Sequence, residues 1–197
     1  MTRTHPHVPQ MPLDDFEDLA RGAPETVWLE FVRGRVEVKP RPVGMDGAIL
    51  MSLLSQFTLE DRLWDAYPYT GLCTEASLAG RYLPDALFLP RDHRPGLSHW
   101  ASPDDVSAVV EIVHRASGKD HRDHDAKRTG YASAAIPVHI LIDRDDNTIT
   151  VFSEPKDGHY QLVASYPWGT TVQLPAPVDV ALNTERLKNY MARNTEP

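Results

Sequence analysis

The chain has 197 residues, of which 41% are hydrophobic and 24% are charged, and its formal net charge is −8. This composition is typical of a globular protein and argues against a wholly disordered chain. The negative charge argues against broad, non-specific binding of nucleic acid, which depends on a basic surface. It does not exclude a nuclease, because carboxylates that hold a divalent metal make a site acidic.

Cysteine content and hydropathy indicate a cytoplasmic protein. The chain contains one cysteine, Cys73, so a disulfide framework within it is excluded. The first residues lack the apolar segment of a secretory signal, and no apolar run approaches the length of a membrane span. We therefore expect a cytoplasmic location and no membrane partner.

Hydrophobic periodicity predicts a disordered tail over residues 1–12 and a single domain over 13–197. Apolar residues three or four positions apart indicate helices, and strict alternation indicates strands. The predicted elements are a helix over 13–22, a hairpin turning at 33–34, a helix over 45–67, strands split by Gly80 within 69–90, a loop over 91–105, a strand over 106–114, a helix over 118–134, strands over 137–143, 147–155 and 158–169, and a short strand with a C-terminal helix within 178–194.

The order of these elements predicts a mixed α/β fold, with a central mixed sheet flanked by helices and additional antiparallel strands. The strand–helix–strand unit over 106–143 predicts a parallel crossover. No internal repeat or low-complexity tract is present.

Two predicted strands each carry one carboxylate among apolar neighbours. Asp85 alternates with leucines in "YLPDALFLP", and Glu111 alternates with valines in "VVEIVH". A buried carboxylate is costly without a partner, and two on neighbouring strands repel each other unless positive charge lies between them. A divalent cation meets that need, whereas the alternative is that each acid pairs with a basic side chain or lies at a strand end.

The helix that follows the Glu111 strand offers a basic group close to these acids. Asp123, Lys127 and Tyr131 are spaced by four residues and share one helical face. The alternative is an ordinary acid–lysine pair on an exposed face. A lysine near the carboxyl end of the strand could contact a phosphate, which favours phosphodiester hydrolysis.

Histidines in the same region are expected to lie on a solvated helix face rather than to bind zinc. His114, His121 and His124 lack a nearby cysteine and the two-histidine-plus-glutamate helical pattern of hydrolytic zinc sites.

Taken in order, these motifs resemble the Uma-two family, whose members are restriction-endonuclease-like proteins of the PD-(D/E)XK nuclease superfamily. The resemblance rests on Pro84-Asp85, on Glu111 in "EIV", on Lys127 with Tyr131, and on "AAIPVHILID" at 134–143. It covers most of the chain, from Trp28 to the C-terminal helix. It implies a restriction-endonuclease-like core.

The resemblance also implies the site residues. Asp85 and Glu111 would be metal ligands for Mg²⁺ or Mn²⁺, with the backbone carbonyl of Ile112 as a further ligand. Val113 stands where the superfamily usually has its lysine, so that role passes to Lys127. Glu30 matches an acid of the family and would hold the metal directly or through water; a strand-edge acid is the alternative.

The chain departs from the family pattern at the start of the long helix, where many relatives carry a histidine and this chain has Met45 and Asp46. Either Asp46 replaces that histidine or the activity of this chain is altered. Tyr131 is expected to pack against or orient Lys127.

These observations leave three functions open. The first is a metal-dependent endonuclease acting on nucleic acid, with DNA as the foremost substrate. The second is a catalytically diverged nuclease fold that serves as a binding or assembly module, and the third is a small-molecule phosphohydrolase. Homodimers are the commonest oligomers of soluble proteins, so a homodimer is a reasonable expectation. Its interface would consist of strands within 147–176 and the C-terminal segment.

Overall fold

The computed structural model describes residues 10–58, 63–74, 80–91, 93, 100–114 and 121–191, except for the side chains of 121–123. Two 3₁₀ turns cover Pro103–Asp105 and Glu185–Tyr190. The helices and strands are α1 (Leu13–Gly22), β1 (Trp28–Val32), β2 (Arg35–Lys39), α2 (Gly44–Thr58), β3 (Trp64–Pro68), β4 (Gly71–Thr74), β5 (Gly80–Tyr82), β6 (Ala86–Pro90), β7 (Trp100–Ala101), β8 (Ala108–Val113), α3 (His121–Ser133), β9 (Val138–Asp143), β10 (Thr148–Lys156), β11 (His159–Pro167), β12 (Thr171–Gln173) and β13 (Ala181–Asn183).

The strands form a six-stranded sheet in the order β11-β10-β9-β8-β6-β3 and a five-stranded sheet in the order β2-β1-β5-β4-β7, with a small β12-β13 pair. Within the six-stranded sheet β8 and β9 are parallel and the other pairs antiparallel, so the sheet is mixed. The predicted mixed sheet with flanking helices is confirmed, as is the parallel pairing across α3.

Each face of the six-stranded sheet packs against a different layer. On one face, α2 contributes Ile49, Leu53 and Phe57, which join Phe88 and Val110 in one apolar cluster. On the other face, α3 and the five-stranded sheet form a second cluster, which includes Val32, Leu72, Leu87, Val109, Ala126 and Tyr131. The second apolar cluster therefore joins α3, the five-stranded sheet and one face of the six-stranded sheet.

The β1–β2 hairpin brings the end of β2 close to the six-stranded sheet. Its turn residues Arg33 and Gly34 have φ angles of 52° and 75°, and two left-handed turn residues match the twist of a tight hairpin. Trp28 lies opposite Lys39 across the ladder, and the Lys39 side chain reaches Asp85, which immediately precedes β6 of the six-stranded sheet.

One predicted helix extends too far and another has a different form. The helix predicted over 45–67 ends at Thr58, and Trp64–Pro68 forms the edge strand β3, which pairs with β6. A short apolar run of this kind fits both the helical period and the strand period. Pairing with β6 makes Trp64–Pro68 a strand. The predicted C-terminal helix is a 3₁₀ segment after β13.

The two ends of the six-stranded sheet are the strands β3 and β11. The nine-residue β11 pairs with β10 alone, carries no Asp, Glu, Lys or Arg, and exposes Leu162 and Val163 by 53% and 60%. The tail predicted over 1–12 lies largely outside the described residues, although the Met11 amide donates to the Gly34 carbonyl. Within the described part of the chain, no helix is long and apolar enough to cross a membrane.

Candidate metal and catalytic site

Asp85 and Glu111 lie side by side on the face of the six-stranded sheet that looks towards α3. Asp85 immediately precedes β6, and its amide donates to the Val110 carbonyl at 2.9 Å. Its side-chain Oδ2 accepts from the Ile112 amide at 2.7 Å. Because both bonds go to the backbone of β8, Asp85 is fixed beside Glu111, and both carboxylates are buried.

The space between the two carboxylates contains the ammonium group of Lys39. The Lys39 Nζ is 2.8 Å from Asp85 Oδ1 and 3.6 Å from Glu111 Oε2, and it also donates to the Leu83 carbonyl. Asp85 Oδ1 and the Leu83 carbonyl lie within hydrogen-bond distance of the ammonium group, whereas Glu111 Oε2 is an ion-pair contact beyond that distance. With the Lys39 side chain only 6% exposed, this lysine offsets part of the negative charge of the pair from within the protein.

A second ion-pair network lies behind Glu111. The Lys127 Nζ contacts both Glu111 Oε1 and Glu30 Oε1, the latter at 2.7 Å. Glu30 also accepts from the Leu83 amide at 2.7 Å, and Tyr131 donates to Glu111 at 2.6 Å. All four side chains are buried, so the cluster positions Glu111 from the side opposite Lys39.

Burial and neighbouring charge shift the pKa values of these groups in defined directions. Burial, together with the Glu111 charge, raises the pKa of Asp85 despite the adjacent lysine. Burial alone lowers the pKa of Lys39 and of Lys127, but the surrounding carboxylates outweigh it and raise both. Burial and then Glu111 raise the pKa of Tyr131 well above its usual range. Both lysines are therefore protonated at neutral pH.

The two lysines differ in their access to open space. A cavity of about 40 Å³ is lined by Lys39, Asp85, Glu111 and Ile112, and its lining also includes Arg41, Asp46, His114 and His124. A volume of this size holds roughly three water molecules. Lys127 and Glu30 are not part of the described lining, and their described contacts connect them to it through Glu111 and through Leu83.

The start of α2 contributes one side of the cavity through Asp46, at the position where the family histidine was expected. Asp46 Oδ2 accepts from the Val43 amide at 3.1 Å, and Oδ1 pairs with Arg144 at 2.6 Å. His114 Nε2 lies 3.7 Å from Asp46 Oδ2. Asp46 is thus held by a cation and by its own helix, facing the site.

The structure brings together the four side chains predicted from the sequence, Glu30, Asp85, Glu111 and Lys127. It also places His114 and His124 at the cavity, where the sequence predicted a solvated face. The side chains of His121 and Asp123 lie outside the described residues. The exposed part of that face is instead the Arg128–Asp125 pair, at 2.7 Å.

Sequence reasoning missed Lys39. In "RVEVKP" the alternating valines indicate that Val36 and Val38 face the core, yet Val38 is 62% exposed and Lys39 is buried. The available signal was a lysine next to Pro40 at the end of a strand whose hairpin partner carries Glu30. That signal is weak, because a lysine at a strand end is usually solvated.

The chain matches a protein-family model named Uma2 and described as "Putative restriction endonuclease", over residues 13–185. This chain belongs to the Uma2 family. The match confirms the resemblance to the Uma-two family drawn from the sequence motifs, and the nuclease-like character of the chain rests on it.

A solved structure has a fold similar to that of this Uma2 protein. It is described as "a putative nuclease belonging to DUF820" from Anabaena variabilis, and the two align with a TM-score of 0.68 over 89% of this chain and 97% of the other. The sequence identity is 15%, so the likeness shows a shared fold. No curated protein matches the chain in sequence.

The residues of this Uma2 site fit a hard divalent cation with few protein ligands. Within the described residues, no group of three or more His, Cys, Asp or Glu side chains is arranged to hold a metal. Mg²⁺ is commonly bound by one or two carboxylates and keeps several waters. Asp85 and Glu111 provide two carboxylates that already share a cation, the Lys39 ammonium, and the adjacent cavity has room for water.

Proposed function

We propose that this Uma2 protein is a metal-dependent endonuclease that hydrolyses phosphodiester bonds in nucleic acid. The observation that carries the proposal is the convergence of Asp85 and Glu111, from neighbouring strands, on one cationic centre beside a cavity. Two buried acids directed at the same point cost folding free energy. Membership of a family described as restriction endonucleases supports the same conclusion.

In this proposal Asp85 and Glu111 hold Mg²⁺ or Mn²⁺, with the Ile112 carbonyl as a further ligand and Glu30 acting directly or through water. A divalent ion in such a position supplies positive charge to the scissile phosphate and lowers the pKa of a bound water. Asp85 is already held by the Ile112 amide. This hydrogen bond fixes the orientation of the Asp85 carboxylate beside Glu111.

Lys127 has a positioning role in the proposed reaction. Its ammonium contacts Glu111 and Glu30 and does not line the cavity. It therefore holds the Glu111 carboxylate in its metal-binding orientation, and Tyr131 assists by donating to the same oxygen. Burial lowers the pKa of Lys127, but the charges of Glu111 and Glu30 outweigh it and raise the pKa, so this cation is protonated at neutral pH.

Nucleic acid, and DNA before RNA, is the proposed substrate. The chain is acidic overall, so phosphate contacts must come from basic groups close to the cavity. Arg41 lines the cavity and its guanidinium lies over the Trp28 ring, 5.3 Å from the centroid. This arrangement supplies one positive group and one aromatic surface at the cavity rim.

A supercoiled-plasmid nicking assay in Mg²⁺ or Mn²⁺ tests the proposal. We expect nicking by the wild type, a loss of at least about a hundredfold in Asp85→Ala, which removes a metal ligand, and a smaller loss in Lys127→Ala. Asp18→Ala is the matched control, because Asp18 is exposed on α1 and pairs only with Arg21 among the described residues. Nicking unchanged in both site variants contradicts the assignment.

The Lys39 ammonium also supports a second candidate, a catalytically diverged nuclease fold that acts as a binding or assembly module. In that case the lysine replaces the metal permanently, and the buried charges are a closed ion-pair network. Calorimetry with Mn²⁺ separates the two functions. Binding that disappears in Asp85→Ala supports the nuclease, and the absence of binding in the wild type supports the module.

A homodimer is proposed through the edge strand β11. Its nine residues carry no formally charged side chain, and Leu162 and Val163 are exposed. Edge strands without charge invite pairing with another strand, and the identical strand of a second copy can pair antiparallel about a two-fold axis. Light scattering should show a dimer in the wild type and in Met51→Lys, and a monomer in Val163→Lys. A monomeric wild type contradicts the dimer.

A further inference from the structure

Lys39 is a buried lysine that the proposed reaction does not use, and its role here rests on the proposed metal site. Lys39 reaches the site from the five-stranded sheet, whereas Asp85 and Glu111 belong to the six-stranded sheet. Its ammonium lies between two carboxylate oxygens and below the Leu83 carbonyl. These oxygens are the acceptors that a small hard cation would also select.

The charges of the buried cluster explain why a cation is needed there. Glu30, Asp85 and Glu111 contact the ammonium groups of Lys39 and Lys127, and these three acids and two lysines sum to one excess negative charge when all five groups are ionised. Without Lys39, Asp85 would have no cationic partner among its described contacts. A divalent ion could take over that role, but not while the ammonium group occupies the same oxygens.

We propose that Lys39 occupies the cation position of the Asp85–Glu111 pair and must withdraw before a divalent metal binds. The four-carbon stem of lysine lets the ammonium move while β2 stays in place. The adjacent cavity, also lined by Arg41 and His114, receives the displaced ammonium. There Lys39 becomes a phosphate-binding group, so one movement opens the metal site and adds a positive charge for the substrate.

This exchange has a thermodynamic consequence for metal affinity. The carboxylates of the metal-free protein are already paired, so part of the binding free energy of the metal goes into breaking the Lys39 contacts. Removing the lysine charge abolishes that competition. Lys39→Met, which keeps an unbranched apolar stem, should therefore bind Mn²⁺ at least about tenfold more tightly than the wild type.

Calorimetric titration with Mn²⁺ tests this expectation. Lys39→Arg, which keeps a positive charge, should bind no more tightly than the wild type. Lys188→Met is the matched control, because Lys188 is half-exposed and pairs with Glu185 at 2.9 Å, remote in sequence from the site. Tightening in Lys39→Met alone supports the exchange, whereas equal affinity in Lys39→Met and the wild type overturns it.

A second measurement uses the wild-type protein and covers the case in which Lys39→Met fails to fold. Lysine acetylation by an amine-reactive reagent, read by mass spectrometry, should be slow at Lys39 in metal-free protein, because its side chain is 6% exposed and ion-paired. Saturating Mg²⁺ should accelerate acetylation at Lys39 and leave acetylation at Lys188 unchanged. Continued protection of Lys39 in saturating Mg²⁺ overturns the exchange.

The outcomes separate this inference from the proposed function. Mn²⁺ binding that needs Asp85 but is indifferent to Lys39 leaves the nuclease proposal intact and overturns the exchange. Binding in Lys39→Met but not in the wild type supports the exchange and identifies Lys39 as the group that closes the site. The absence of binding in both proteins overturns both the metal site and the exchange.

Discussion

The two faces of the six-stranded sheet contain the same strands but are built on opposite principles. The face under α2 buries Phe57 against Phe88, with ring centroids 3.8 Å apart, together with Val110 and Ile140. The face under α3 buries the ion pairs of Glu111 and Lys127. Because neighbouring residues of a strand point to opposite faces, Val110 of β8 lies on the apolar face and the next residue, Glu111, lies on the ionic face.

This difference shows where stability and function reside. Apolar packing stabilises a fold directly, whereas a buried ion pair gains little or nothing over apolar residues of the same shape. A sheet face that buries three carboxylates and two lysines is therefore not explained by stability. Apolar packing under α2 therefore offsets the free energy that it costs to bury the charged groups under α3.

The largest effect on the free energy of unfolding is expected at Lys127, which is buried and does not line the cavity. Lys127→Met should lower the free energy of unfolding by about 3–5 kcal/mol, because Glu30 and Glu111 lose their buried partner. Urea unfolding followed by circular dichroism measures the loss. Adding Glu30→Gln should recover part of it, and a double variant as unstable as the sum of both single variants would show that the charges do not interact.

A smaller effect is expected at Tyr131, whose hydroxyl donates to Glu111 at 2.6 Å. Tyr131→Phe should cost about 2 kcal/mol, since the lost hydrogen bond has a charged acceptor. Tyr160→Phe is the matched control because Tyr160 donates to the neutral Ile136 carbonyl at 3.0 Å, and it should cost about 1 kcal/mol. Equal losses in the two urea unfolding experiments would contradict an ionised Glu111.

A pH-dependent effect is expected at His139, which is buried between Tyr131 and Phe152 with no described hydrogen-bond partner for either ring nitrogen. Burial lowers its pKa from 6.5 to about 3. The unfolded chain therefore binds a proton more readily than the folded protein. The contribution of neutral His139 to stability is complete above pH 6.5 and is lost as the pH falls towards 3.

The slope attributable to His139 is at most about 1.4 kcal/mol per pH unit. Urea midpoints at pH 7.0, 5.5 and 4.5 should fall less steeply in His139→Phe than in the wild type. The exposed His159, changed to Gln, is the control and should leave the slope unaltered. Parallel slopes in wild type and His139→Phe would contradict the lowered pKa.

The smallest effect is expected on the apolar face. Ile140→Val removes one methylene from a fully buried side chain and should cost about 0.5–1.5 kcal/mol. Thermal unfolding with and without Mn²⁺ should give the same metal-induced stabilisation as in the wild type, because this face does not contact the site. A changed response to Mn²⁺ would show that the two faces are coupled.

The sequence was sufficient for the parts of the site that local patterns control. Alternation around Asp85 and Glu111 placed both acids on one face, and helical spacing placed Lys127 with Tyr131. These predictions hold because strand and helix periods are set by the backbone. The parallel pairing of β8 with β9 followed from the helix between them.

Other features depend on contacts between distant segments. Lys39 is buried because the β1–β2 hairpin folds over the other sheet, and nothing in "VEVKP" encodes that approach. The residues around Trp64 form a strand because β6 offers an edge. In both cases a partner distant in sequence decides what the local pattern leaves open, the burial of a side chain at Lys39 and the conformation of the backbone at Trp64.

The distribution of the ionic cluster along the chain has a consequence for protein synthesis. Its charged side chains come from β1, β2, the residue before β6, β8 and α3. Every carboxylate leaves the ribosome before Lys127, so a nascent or truncated chain has the acids without the cation that orders Glu111 and Glu30. If the proposed nuclease function holds, its metal site is therefore assembled only once α3 has docked, and a chain truncated before Lys127 should show no cleavage of nucleic acid.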